Sequence, residues 1–143
     1  MKKRDTIDPQ EALVCTMVLV AAADGGITDR EIGVMSGLVQ TLPVFENFTT
    51  EHLQHATSAA VTLLSEADDL AHGGKLIREA LEPRLRETAY VLACEVIAAD
   101  GVAAQESLRM LEFVRGELKL DNLVVTALER GVRARYQKAE KAG

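Results

Sequence analysis

Tryptophan is absent from this chain of 143 residues, and aromatic side chains make up only 3% of it, so the sequence offers no aromatic platform on which a substrate could stack. Three prolines and ten glycines are too few for a loop-rich all-β design. The abundant Ala, Leu, Glu and Arg are the residues that cost least in a helix. The two cysteines, Cys15 and Cys94, each lie in an apolar run. That placement excludes a disulfide framework or a thiolate metal site and marks them as buried free thiols. The apolar stretch over residues 12–23 has twelve residues, short of the ~20 that span a bilayer. Lys2, Lys3 and Arg4 ahead of it imitate a secretory signal. However, Asp5, Asp8 and Glu11 interrupt the approach, and a similar segment recurs at residues 89–99, where no signal could act. A cytoplasmic protein is expected.

Catalytic patterns are lacking as well. No Ser/His/Asp or Cys/His arrangement stands out, and Gly73-Gly74-Lys75 lacks the spacing of a phosphate-binding loop. His52 and His55 share one helical face without a third ligand, so they read as a solvated face, and His72 reads as a turn residue.

Charge is present in quantity and unevenly placed. The chain carries 16 basic and 22 acidic residues, a net −6, which argues against sequence-independent phosphate binding and so against a nucleic-acid partner. Lys2, Lys3 and Arg4 open it, and Arg130, Arg133, Arg135, Lys138 and Lys141 lie near its end. Between Asp5 and Leu128 stand 8 basic and 20 acidic residues. Beyond plain solubility, such a body suits a cation or a basic protein partner.

The chain also repeats itself. Residues 11–31, from Glu11 through Asp24-Gly25 to Glu31, align with residues 87–106, from Glu87 through Asp100-Gly101 to Glu106. The offset is 76 up to the glycines; beyond them the alignment reads copy two as one residue shorter. Each copy reads as helix, turn, helix, spanning residues 11–42 and 87–118 of a single domain over 1–143.

The expected fold is all-α, with about seven helices in two pseudo-symmetric helix-turn-helix halves around a buried helix pair. The first helix, near residues 10–23, is apolar almost all round and stops at Asp24-Gly25. Thr28 and Glu31 form a capping box for the second, which turns Ile32, Met35, Val39 and Leu42 inward and ends before Pro43. Thr49 or Thr50 caps a third through Leu64, and Asp68 or Asp69 opens a fourth, interrupted by Gly73-Gly74. A fifth runs from about Arg84 to Ala99, with Pro83 suited to its first turn. A sixth, over residues 104–118, turns Leu108, Leu111 and Val114 inward behind a weaker cap. Asp121 caps a seventh with exposed basic residues.

The residues that carry chemistry are the acids at the two turns. Residues 24–31 match the second half of an EF-hand loop, but Val20 and Ala22 fall where its first ligands belong, which excludes a true calcium loop. Asp24 and Asp100 sit at helix C-termini, the unfavourable end of the dipole. Either they cap the following helix, or the two copies bring Asp24, Glu31, Asp100 and Glu106 to one surface as oxygen ligands. All-oxygen ligation suits calcium, magnesium or manganese. Glu95, alone in its apolar helix, either pairs with an arginine or faces that acidic site.

A duplicated apolar helix ending in Ala-x-Asp-Gly, followed by a hydrophobic residue, a polar turn and Glu, with Gly74-Lys75 between the copies, resembles the TerB family of tellurite-resistance proteins over about residues 11–120. The resemblance implies an all-helical fold of two halves in a cytoplasmic bacterial protein. It further implies a role in stress responses with protein partners at the membrane face, with metal binding on Asp24, Glu31, Asp100 and Glu106. Related modules are joined to co-chaperones. Three readings follow. The favoured one is a non-enzymatic, acidic-surfaced interaction module holding a divalent cation. The second is a purely structural interaction or co-chaperone-type module without metal. The third, ranked lowest, is a metal-dependent hydrolase.

Overall fold

The computed structural model describes residues 6–65, 70–99, 101 and 103–140. Among them are seven α-helices and no strand: α1 Pro9–Ala22, α2 Asp29–Thr41, α3 Thr50–Ser65, α4 Leu70–Ala80, α5 Pro83–Ala98, α6 Gln105–Leu118 and α7 Asn122–Arg135, with a 3-10 turn at Pro43–Phe45 between α2 and α3. The all-α expectation holds. Asp68, Asp69, Lys2, Lys3, Arg4 and Lys141 lie outside the described residues.

α1 is the centre. Every residue from Ala12 to Ala21 is buried, so its uniformly apolar sequence reflects neighbours on all sides. α3, α4, α5 and α6 all pack on it, while α5 in turn receives α2, α6 and α7. Each fully buried Val or Leu contributes roughly 1.5–3 kcal/mol. Thr16, the polar member of this run, donates its hydroxyl to the Ala12 carbonyl at 2.8 Å and is satisfied. Both cysteines are buried free thiols.

The helix ends follow local chemistry. Asp8 and Glu11 form a capping box that spans Pro9, the first residue of α1. At α3, Thr49 and His52 exchange the same pair of bonds, each 3.1 Å, with the imidazole Nδ1 in the role Glu usually takes. His52 also packs on Phe48, ring centroids 5.4 Å apart, so it is a cap residue and not merely a solvated one. Asp121 caps α7 through the Leu123 amide at 3.1 Å.

Three details differ from the periodicity reading. α4 runs unbroken through Gly73-Gly74, both buried. A Cβ at Gly74 would come within 2.8 Å of Glu117 Cγ and 3.1 Å of Phe113 Cζ, so this glycine serves close approach to α6 instead of interrupting the helix. Ile32 and Leu108, expected inward, are 51% and 46% exposed. Both stand four residues into the helix that follows a turn, and neither helix has a neighbour covering that position.

Candidate functional site

The glycines of the two Asp-Gly dipeptides share one conformation. Gly25 and Gly101 take positive φ, 110° and 77°, the left-handed conformation that favours glycine. Each glycine amide donates to the carbonyl three residues back, Ala22 and Ala98, at 3.1 Å. The chain then enters α2 at cap Thr28 and α6 at cap Ala104, still 76 residues apart. The offset therefore never changes, and the reading of copy two as one residue shorter is corrected. Ser107, not Glu106, occupies the helix position that Glu31 holds in copy one; both are buried, at 6% and 4% exposure.

This register decides where Glu31 and Glu106 stand. Glu31 is folded back: its Oε1 accepts from the Thr28 amide at 2.8 Å while its own amide donates to Thr28 Oγ1 at 3.1 Å. One carboxylate oxygen is thus committed to the capping box. Asp24 is exposed at the first turn, and Glu106 is exposed in the first turn of α6. Asp100 lies outside the described residues. Among the described residues, no three His, Cys, Asp or Glu side chains gather as a metal-holding group. The oxygen donors themselves are of the type a hard cation takes.

Glu95 resolves in favour of pairing. It is 3% exposed on α5, and the Arg135 guanidinium closes on it, with Nε on Oε1 and Nη2 donating to Oε2 at 3.3 Å. The Tyr136 hydroxyl adds a bond to Oε2 at 2.7 Å. Burial and that hydrogen bond push the Tyr136 phenol up to about 12. A lone charge in an apolar helix signalled a partner; its identity, forty residues on, was not legible from spacing. One turn earlier, the buried Tyr90 hydroxyl donates to Glu129 of α7, and burial followed by this bond raises the Tyr90 phenol well above its ordinary value. Tyr90 and Glu129 border a cleft of about 380 Å³ beside Gln105, Leu108, Arg109 and Arg115. A larger groove of about 530 Å³ lies between α2 and α3, beneath Ile32.

Among the described residues, seven helices packed around α1 and α5, with left-handed glycines at Gly25 and Gly101 ahead of α2 and α6, define an all-helical domain. The sequence profile of the family described as tellurite resistance protein TerB matches residues 10–130. The chain belongs to that family. No curated protein and no solved structure matches it. Among the described residues, no helix is long and apolar enough to cross a membrane.

Proposed function

We propose that this TerB-family chain is a non-enzymatic interaction module of the bacterial cytoplasm, acting in the tellurite and stress response through an acidic face that engages a protein partner and holds a divalent cation. The observation that carries this reading is the one-sided charge of its first half. Residues 6–65 contain seven carboxylates and a single arginine, Arg30; Asp8, Asp24, Asp29, Glu46 and Glu51 are exposed. Such a surface attracts cations and basic proteins. The packing supports a pseudo-twofold relation between the halves: α3 packs on α1 as α7 packs on α5, and α6 packs on α1 as α2 packs on α5. In sequence Asp24 and Asp100 each precede the glycine of their repeat, and each is the natural first oxygen donor of its half. Glu31 and Glu106 are the second donors.

Calorimetric titration with calcium, magnesium and manganese tests the cation, run beside a variant carrying Asp24→Asn, Glu31→Gln, Asp100→Asn and Glu106→Gln. Glutamine at a capping-box position keeps an oxygen for the cap, so the variant retains its fold. We expect micromolar binding by the native chain and at least a tenfold loss in the variant. A second reading, an interaction module without metal, is favoured by the commitment of Glu31 to its capping box; no heat from either chain would select it.

A further inference from the structure

The groove between α2 and α3 has the form of a helix-docking site. Its floor is Met35, with Ile27 and Leu53 partly buried beside it, and its open wall is Ile32. The opposite wall is Thr57 and Ser58 on α3, small side chains that let a visiting backbone approach closely. The groove continues: Ser36, Thr50 and Leu53 also border an adjoining cavity of about 520 Å³ that ends at Phe45, Glu46 and Phe48. The apolar part of this trough, formed by Ile27, Ile32, Met35 and Leu53 and opening onto the more polar cavity, is the shape that receives the apolar face of an amphipathic helix.

Charge selects the occupant. No lysine or arginine occurs between Arg30 and Lys75, so beyond the first turn of α2 neither helix walling the trough carries a permanent cation. Asp29 and Glu51 stand exposed at the heads of α2 and α3, and Glu46 lines the far end. The equivalent position in the second half contrasts with this. Leu108 there borders a cleft shared with Arg109, Arg115 and Glu129, and mixed charges of that kind do not favour a basic visitor. We infer that the α2–α3 trough binds an amphipathic helix of a partner protein whose apolar stripe is flanked by lysine or arginine. This deepens the interaction-module reading and rests on it.

The test uses the full chain and a synthetic helix with leucines at i, i+3, i+4 and i+7 flanked by lysines. A scrambled peptide of the same composition and one with glutamates in place of the lysines serve as controls, and fluorescence anisotropy follows binding. The lysine peptide should bind and weaken with added salt, whereas both controls bind at least tenfold more weakly. Ile32→Ser removes apolar surface without changing charge at a half-exposed position and should weaken binding at least tenfold; Ser58→Arg, on the exposed wall of α3, should do the same by repulsion. Circular dichroism checks that both variants fold. Asp24→Asn, carried alongside, reports whether the acidic turn itself makes the contact. The proposal is overturned by equal binding of the scrambled peptide, by indifference to both groove variants, or by no binding of the lysine peptide up to ~1 mM. A native dimer that Ile32→Ser dissociates would also overturn it, by assigning the trough to a second copy. Loss of binding in Asp24→Asn with retention in both groove variants would move the contact to the acidic turn and leave the interaction reading standing.

Discussion

At the scale of single residues, burial governs the reactivity of the two thiols. Cys15 is 7% exposed on α1, and desolvation, helped by the Glu11 charge, pushes its thiol up to about 12 from about 9. Cys94 rises to about 12, again chiefly through burial and secondly through Glu129. A thiolate is the reactive form, so at pH 8 both cysteines of the native chain should resist a thiol reagent and react fully in denaturant. The linkage runs in one direction. A group whose folded-state pKa is raised lends stability that is complete below its unfolded value and fades as pH climbs through the folded one. Urea unfolding midpoints should therefore fall between pH 9 and 12, and Cys15→Ser should blunt part of that fall. Fast labelling of either thiol in the native chain at pH 8 would contradict the burial assigned to it.

The helical elements show which parts of the fold the sequence makes legible. Caps are local, so Thr28-x-x-Glu31, Pro83 and Asp121 could be read directly. Asp8-Pro9-Gln10-Glu11 carries the same signature at α1. Inward faces are less legible, because a helical period gives an apolar stripe without saying how wide its neighbour is: Met35, Val39 and Val114 are buried while Ile32 and Leu108 are not. Gly73-Gly74 misleads for a similar reason, since a glycine needed for helix approach and one that breaks a helix look identical in sequence. The unequal caps of α2 and α6 give a measurable contrast. Thr28 bonds the Glu31 amide, whereas Ala104 has no side-chain acceptor although its backbone, φ −69° and ψ 147°, is already that of an N-cap. Thr28→Ala should cost about 1 kcal/mol and Ala104→Ser should gain up to about 1 kcal/mol. Thermal melts should move by roughly 2–4 °C in opposite directions.

Across the whole molecule, the acidic turns were visible in sequence as a repeat, yet their register was not, because aligning Glu31 with Glu106 matched residue type where the backbone matches position. The role of α7 was equally hidden, since nothing local to Glu95 points to Arg135. The family profile ends at residue 130, but the lid over Glu95 lies beyond it: Val132 is 5% exposed, and Arg135 and Tyr136 hold the Glu95 carboxylate. A chain ending at residue 130 keeps everything the family profile matches and loses that lid. Losing buried Val132 removes roughly 1.5–3 kcal/mol, and stripping Glu95 of its charged partner removes about 1.5–3 kcal/mol more. Because the Arg135 side chain is 63% exposed, solvent screening places its share at the low end. The truncated chain should thus unfold about 3–5 kcal/mol more easily in urea, a large part of a typical domain's 5–15 kcal/mol. Glu95→Gln within the truncated chain separates the two contributions: it relieves the unpaired buried charge and should recover about 1 kcal/mol while leaving the Val132 loss untouched. Equal stability of the two lengths would mean that α7 is anchored by Val125 and Tyr90–Glu129 alone, and that the Glu95 clasp adds nothing to the fold.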